Sequence, residues 1–146
     1  MNIAIGADHA GYELKNRIVS YLIEQGYTVK DCGTYSLEST DYPDYAFAAC
    51  RLVENNECDR AVLVCGSGIG VCITANKVKG IRAANCLVKE QAALSRQHNN
   101  CNVVTLVARF LSYEVATEIV MTFLSTEFEG GRHEKRVEKI HSLTHC

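Results

Sequence analysis

The sequence predicts an α/β fold in which helices cover both faces of a five-stranded parallel sheet, followed by a C-terminal tail helix. Two unbroken apolar runs, Ala61–Cys65 and Val103–Val107, leave no polar face and therefore suit strands buried on both sides. Strand and helix patterns alternate five times along the chain, which predicts a layered sheet with right-handed crossovers. The 146 residues, with 47% hydrophobic content, suffice for one core, so we predict a single domain over residues 1–146.

Five strand patterns alternate with five helix patterns. The predicted strands are Asn2–Gly6, Tyr27–Cys32, Ala61–Cys65, Arg82–Cys86 and Val103–Val107. The predicted helices cover residues 10–25, 43–55, 68–78, 89–98 and 113–124. Three ends carry local signals: Gly26 stops the first helix, Pro43 fits the first turn of the second, and Ser112 caps the fifth.

The tail, Arg132–Leu143, is charged and helical with only a thin apolar stripe formed by Val137, Ile140 and Leu143. Such a narrow stripe hardly supports a further core element. We therefore expect residues 130–146 to dock on another surface, such as that of a partner subunit.

The composition limits the functional classes. A net charge of -2 provides no basic field, so broad nucleic-acid binding is disfavoured. No apolar stretch reaches membrane-spanning length, and residues 1–6 do not resemble a secretory signal. We therefore expect a cytoplasmic protein without membrane contact.

Eight cysteines are scattered through apolar segments, and without a secretory signal they are expected to be reduced. Cys65 is a candidate catalytic thiol. Six others are predicted to be core or near-surface packing residues: Cys32, Cys50, Cys58, Cys72, Cys86 and Cys101. The best metal candidate is His141, His145 and Cys146, but a chain end tends to fray. We predict no metal and no cofactor.

The stretch from Cys65 to Gly70 is the strongest functional signal. Cys65 ends a buried strand, at the sheet edge where open α/β proteins bind ligands. Gly66, Gly68 and Gly70 would let backbone N–H groups close on an anion near the start of the next helix. Cysteine is also a common core residue and glycines also serve turns, so this loop alone supports a structural and a functional interpretation equally.

Other polar residues accompany this loop. Asp8 and His9 follow the first strand, and His98 and Asn99 end the fourth helix, so an acid, imidazoles, an amide and the thiol are expected to converge. Asp8 fits a helix cap as well as a catalytic role. The arginines at three further positions suit a phosphate, although the pair on the tail also fits a solvated helix: Arg109, Arg132 and Arg136.

Three nucleotide or phosphate motifs do not fit. A C-x5-R phosphatase loop requires arginine where Val71 stands, and a P-loop requires Gly-Lys-Ser/Thr where the chain has Gly70, Val71 and Cys72. A dinucleotide loop would follow the first strand with G-x-G-x-x-G spacing, whereas G-x-G-x-G follows the third.

The chain closely resembles the ribose-5-phosphate isomerase B family, within the sugar-phosphate isomerases that include the galactose-6-phosphate and allose-6-phosphate enzymes. Six motifs in order carry the resemblance: GADHAG at 6–11, TDYPDYA at 40–46, CGSGIG at 65–70, NKVKGIRA at 76–83, SRQHNN at 95–100 and EGGRHEKRV at 129–137. The family implies a Rossmann-like three-layer sandwich with strand order 2-1-3-5-4. It also implies a homodimer or homotetramer whose sites are shared between subunits.

The resemblance also implies residue roles. Cys65 looks like the base that moves a proton between C2 and C1 of an open-chain sugar, and His98 like the acid that opens the furanose ring, with Asp8 beside it. Asn99 resembles a hydroxyl-binding amide, and Ser67 stands where the family often has threonine. The enediolate hole corresponds to the backbone of Gly66, Ser67, Gly68, Ile69 and Gly70. The phosphate ligands correspond to His9, Arg109, Arg132 and Arg136.

The resemblance therefore implies a metal-independent aldose-ketose isomerase of the pentose phosphate pathway that interconverts D-ribose 5-phosphate and D-ribulose 5-phosphate. An isomerase of allose 6-phosphate or galactose 6-phosphate remains an alternative, although galactose-6-phosphate isomerase subunits usually vary at the thiol or the tail arginines, which this chain retains. A non-catalytic module that binds a phosphorylated ligand is the alternative from another class.

Overall fold

The structure, a computed structural model, describes residues 1–145 and contains one five-stranded sheet with six helices. The strands are β1 (Asn2–Ala7), β2 (Thr28–Asp31), β3 (Arg60–Cys65), β4 (Ala83–Asn85) and β5 (Val103–Val107). The helices are α1 (Tyr12–Glu24), α2 (Tyr42–Glu54), α3 (Ile69–Ala75), α4 (Lys89–Asn99), α5 (Tyr113–Ser125) and α6 (Arg132–Thr144). All strand pairs are parallel, in the order β2-β1-β3-β5-β4, which confirms the predicted fold class and strand order.

Alternate strand residues build a hydrophobic layer on each face of the sheet. On one face, Ile5, Val64 and Leu106 pack with α1, α4 and α5. On the other face, Ala4 and Leu63 pack with α2 and α3. Because both faces are covered, β3 and β5 are buried at nearly every position, as their apolar runs predict.

The first helix begins later than its apolar spacing predicts. Residues 8–11 form a turn instead, because Asp8 Oδ1 accepts a hydrogen bond from the Gly11 amide at 3.0 Å and α1 begins at Tyr12. A Cβ at Gly11 would lie 2.6 Å from the Val64 carbonyl oxygen, so only glycine permits this close approach to β3. The turn places Asp8 and His9 at the carboxyl edge of the sheet.

The tail helix α6 packs partly on its own chain. His133 and Val137 are buried, and the His133 ring stacks on His98 of α4. Ile140 and Leu143 are 43% and 70% exposed, so two of the three residues of the apolar stripe remain uncovered within the chain. Docking of this remaining surface on a partner subunit stays a prediction.

An ion pair with a buried lysine and a partly exposed aspartate joins α1 to β2. The Lys15 ammonium group is fully buried and donates to both Asp31 carboxylate oxygens, at 2.7 and 2.6 Å. Asp31→Asn keeps the shape but leaves this ammonium without a counter-charge, so we expect a loss of about 3 kcal/mol in the free energy of unfolding, measured by urea denaturation.

Glu57→Gln is the matched control, since it removes the exposed Lys30–Glu57 pair, whose N···O distance is 3.1 Å. It should cost much less than Asp31→Asn, because solvent screens exposed charges. Equal losses for the two variants would contradict a special role for the Lys15–Asp31 pair.

No helix among residues 1–145 combines the length and the apolar content required to cross a bilayer.

Candidate active site

A cavity of about 190 Å³ opens at the carboxyl edge of the sheet, where the loops after β1, β3 and β5 meet. It is lined by Asp8, His9, Ala10, Tyr42, Cys65, Gly66, Ser67, Gly70 and Arg109. Seven of these nine residues were singled out from the sequence. Tyr42 and Ala10 were not assigned a role, although both belong to motifs quoted above.

Cys65 ends β3 at the floor of this cavity. The residue is only 4% exposed, but its side chain reaches the cavity, and its Sγ accepts a hydrogen bond from the Gly68 amide at 3.1 Å. The thiolate is the form of a cysteine side chain that can accept a proton. The carbonyl of Cys65 is held in turn by the Ala108 amide at 2.9 Å, so β5 fixes the position of the residue.

Most other cysteines are poor candidates for a base. Burial raises the pKa of the Cys50 and Cys86 thiols to about 12. Burial likewise raises the pKa of Cys32 and Cys101 to about 11. These side chains therefore stay protonated at neutral pH, in agreement with their predicted role as packing residues.

Each glycine of the loop lies close to a neighbouring side chain that an added Cβ would contact. A Cβ at Gly66 would lie 3.0 Å from Arg109 Nε, and one at Gly70 would lie 2.6 Å from the Tyr42 ring. Gly68 adopts φ +71°, and a Cβ there would collide with Asn85 Oδ1. Glycine thus lets a guanidinium, a phenol ring and an amide side chain close around the loop.

Two backbone amides of the loop already donate hydrogen bonds to side chains of the same loop. The Gly68 amide donates to Cys65 Sγ, and the Ile69 amide donates to Ser67 Oγ at 3.3 Å. An oxyanion over this loop would therefore compete with Ser67 for the Ile69 amide. The predicted anion hole is thus partly engaged in intramolecular hydrogen bonds.

His9 is held with a defined tautomer. Its Nδ1 accepts a hydrogen bond from the Thr40 amide at 3.2 Å, so the ring proton lies on Nε2 when the imidazole is neutral. A protonated Nε2 suits donation to an anion in the cavity. Thr40 belongs to the TDYPDYA motif, which explains how that loop supports the site.

Arg109 follows β5 and places its guanidinium over Gly66. Its amide donates to the Gly66 carbonyl at 3.2 Å, which joins the loops after β3 and β5. The predicted position at the carboxyl edge is confirmed, and the side chain is the cationic group of the cavity.

His98 and Asn99 do not converge with Cys65 in one chain, contrary to the expectation from the sequence. The turn after α4 lies at the opposite, amino edge, where the Asn102 carbonyl accepts from Ala61 near the start of β3. The reason is geometric: α4 runs antiparallel to the strands, so its last residues return to the edge where strands begin. The tail arginines Arg132 and Arg136 are likewise absent from the cavity lining.

His98 instead belongs to a second cluster with Glu129 and His133. The two imidazole rings stack with centroids 4.3 Å apart and planes 6° apart. Glu129 Oε2 lies 3.9 Å from His98 Nε2 and 3.7 Å from His133 Nε2. Burial, and after it the charges of His98 and Arg132, lower the pKa of His133. No local sequence pattern assigns a role to Glu129 or His133, because only folding brings α6 beside α4.

This cluster is a three-ligand arrangement, since its ligand atoms lie within 4.8 Å of one another. Arg132 Nε, however, lies 3.5 Å from His133 Nε2, and a guanidinium there disfavours a bound cation. We assign no metal to it. Of the candidate group predicted at the chain end, Cys146 lies outside the described residues.

Comparisons with known proteins identify the family. The sequence model described as Ribose/Galactose Isomerase matches residues 3–140. The chain is 47% identical to ribose-5-phosphate isomerase B of Escherichia coli over 97% of this chain and 95% of that protein. It is 44% identical to D-erythrulose-4-phosphate isomerase of Pectobacterium atrosepticum over 99% of this chain and 96% of that protein.

Solved structures agree. A ribose 5-phosphate isomerase from Thermotoga maritima superimposes with a TM-score of 0.95 at 50% identity, covering 97% of both chains. Ribose-5-phosphate isomerase B from Mycoplasma genitalium with bound ribulose-5-phosphate gives a TM-score of 0.92 at 43% identity, covering 97% of this chain and 95% of that one. With its fold, its cavity and its full-length matches in agreement, the chain belongs to the Ribose/Galactose Isomerase family.

Proposed function

We propose that this chain is an aldose-ketose isomerase that interconverts D-ribose 5-phosphate and D-ribulose 5-phosphate. The observation that carries the proposal is the cavity, which is lined together by Cys65, the glycine loop and Arg109. The size of about 190 Å³ suits a small sugar phosphate, and a relative of 43% identity was solved with ribulose-5-phosphate bound. We expect a cytoplasmic enzyme without a cofactor.

Cys65 would act as the base of the isomerisation. Its thiolate takes the proton from C2 of the open-chain aldose, and the electron pair moves onto the C1 oxygen to form an enediolate. The resulting thiol returns the proton to C1, while a proton passes between the two oxygens, so atoms and charge balance. Backbone amides of Gly66–Gly70 and the Ser67 hydroxyl would stabilise the negative oxygen.

Ring opening and phosphate binding would use the remaining residues. His98 donates to the ring oxygen of the furanose, Asp8 lies near the C1 hydroxyl, and Asn99 binds a sugar hydroxyl. The phosphate would be bound by His9 and Arg109 in the cavity, with Arg132 and Arg136 completing its charge neutralisation.

The opposite placement of Cys65 and His98 supports a site shared between two chains. A homodimer that sets the amino edge of one chain against the carboxyl edge of its partner would bring the two side chains together. Three apolar residues in α3 and beside Arg109 are exposed, Ile69 at 56%, Ile73 at 58% and Phe110 at 79%, and a second copy would cover them. Either a homodimer or a homotetramer satisfies this requirement.

The test is an assay of the purified protein with ribose 5-phosphate and a chelator, in which ketose formation is followed. Parallel assays with four-carbon and six-carbon aldose phosphates compare kcat/KM, since relatives include a D-erythrulose-4-phosphate isomerase and the family model includes galactose isomerases. We expect the highest kcat/KM with ribose 5-phosphate. Thermal stabilisation by sugar phosphates without turnover would support a binding module instead.

Arg109→Ala should weaken phosphate binding. Loss of a charge-assisted hydrogen bond costs about 2 kcal/mol, so we expect KM for ribose 5-phosphate to rise about 10- to 50-fold with a smaller change in kcat. Steady-state kinetics measure both constants.

Arg51→Ala is the control for this prediction, because Arg51 pairs with Glu54 on α2 and does not line the cavity. An unchanged KM in the Arg109→Ala variant would remove this residue from the phosphate site.

A further inference from the structure

Arg82, in the NKVKGIRA motif, directs its guanidinium at two elements that carry predicted site residues. Its Nε donates to the carbonyls of Asn99 and Asn100 at 3.0 Å each, and its Nη2 donates to Asn100 at 2.8 Å. Its Nη1 lies 2.8 Å from His141 Nε2 on α6. All three guanidinium nitrogens therefore contact the end of α4 or the side of α6.

The contacts on α4 occur where the helix ends. The last carbonyls of a helix lack intrahelical partners and carry the negative end of its dipole, so a guanidinium group is favourable there. Asn100 terminates the helix in a left-handed conformation with φ +47°. The Arg82 bonds fix this turn immediately after His98 and Asn99.

The contact on α6 determines which way that helix faces. His133, Val137 and His141 are spaced four residues apart and therefore lie on one face. His133 stacks on His98, Val137 is buried, and His141 meets Arg82. Arg132 and Arg136 each precede a member of this face by one residue, so the same contacts set their direction.

The backbone of Arg82 is itself anchored. Its amide donates to Asn102 Oδ1 at 2.8 Å, and its carbonyl accepts from the Asn102 amide at 3.0 Å. The Asn102 carbonyl also accepts a hydrogen bond from the Ala61 amide at 3.0 Å, which connects Asn102 to β3. The guanidinium thus extends from a part of the chain that the sheet holds rigidly.

We propose that Arg82 is a positioning residue that orients the half-site which one subunit presents to its partner. It does so by joining the end of α4, with His98 and Asn99, to α6, with Arg132 and Arg136. This inference rests on the proposed isomerase function and on a site shared between chains.

The first measurement compares Arg82→Ala, Arg82→Lys and Arg60→Ala by steady-state kinetics with ribose 5-phosphate. A displacement of catalytic groups by about 1 Å costs up to about 100-fold in rate, so we expect kcat of Arg82→Ala to fall about 10- to 100-fold. Arg82→Lys retains the positive charge but not the planar set of guanidinium donors, and its kcat should lie between those of Arg82→Ala and the wild type. Arg60 is the matched control because it lies at the same edge and its Nη1 donates to the carbonyl of Asp59 beside it at 2.9 Å.

Mixed dimers separate positioning from a general effect on the fold. Cys65→Ala and Arg82→Ala subunits with different tags are coexpressed, and the species that carries both tags is purified. In this species one site combines the intact Cys65 of the Arg82→Ala subunit with the intact His98 half of its partner. We expect recovery to about half of the wild-type specific activity, because one of two symmetric sites is complete.

A parallel mixture of Cys65→Ala with His98→Ala tests the shared site itself. If this pair fails to recover activity, the shared site is wrong. If it recovers and the Arg82→Ala pair does not, Arg82 does not act in the partner-facing half, and the inference is overturned. Wild-type kcat and KM in Arg82→Ala would also overturn it, and a wild-type protein inactive on every sugar phosphate would instead contradict the proposed function.

Discussion

Cys65→Ala should reduce the turnover of ribose 5-phosphate by about 10³-fold, since general bases contribute about 10²- to 10⁴-fold to proton transfers. Cys65 is the last residue of β3 and lines the cavity, and its sulfur accepts a hydrogen bond from the Gly68 amide at 3.1 Å. Removing the sulfur leaves no group at that position to accept the C2 proton. The decisive measurement is kcat for the purified variant together with its circular dichroism spectrum and unfolding midpoint.

Cys72→Ala is the control for this change, because Cys72 lies on α3 one turn beyond the glycine loop and is absent from the cavity lining. It should keep nearly normal turnover. Cys65→Ser adds a second comparison, since a hydroxyl keeps the size of the side chain but is a far weaker acid than a thiol. Near-normal turnover in a folded Cys65→Ala protein would assign the base to another residue.

Gly68→Ala should lower kcat by about 100-fold or more, the size of effect expected when catalytic groups move by about 1 Å. Gly68 has φ +71°, a Cβ there would collide with Asn85 Oδ1, and Val107 Cγ2 would lie 3.1 Å away. The loop must shift to relieve this collision. The shift moves the amide that donates to Cys65 and disturbs the predicted anion hole, and steady-state kinetics with ribose 5-phosphate report the effect.

Gly80→Ala separates the collision from backbone strain. Gly80 has φ +75°, close to that of Gly68, but no atom lies within 4 Å of an added Cβ. Both variants should therefore lose about 1 kcal/mol of stability from the left-handed backbone, and only Gly68→Ala should lose activity. Equal kinetic losses would mean that the geometry of the loop is not the cause.

The part of the site that the sequence predicted correctly lies where neighbouring strands end. Cys65, Asp8 and Arg109 each follow a strand of the parallel sheet, and such ends meet at one edge whatever the details of packing. The loop glycines indicated the same place for the site, because a backbone that passes close to other atoms requires residues without a side chain. Local pattern and sheet topology thus sufficed for this half.

The other half could not be placed from spacing alone. His98 was expected beside Cys65, but α4 returns its last residues to the opposite edge, where Glu129 and His133 join it. Nothing local to His98 indicates a stack with a residue 35 positions later, or that Arg82 binds the carbonyls that follow it. These contacts depend on how α6 crosses α4.

The order of apolar runs and glycines by itself determined a five-stranded parallel sheet and a thiol at its carboxyl edge, because side-chain periodicity and chain handedness act over short stretches. Only the tertiary structure decided that Cys65 and His98 lie at opposite edges of the sheet. It also decided that Arg82 contacts the end of α4 and the side of α6. Long-range packing sets the separation between elements, and no spacing within one element reports that distance.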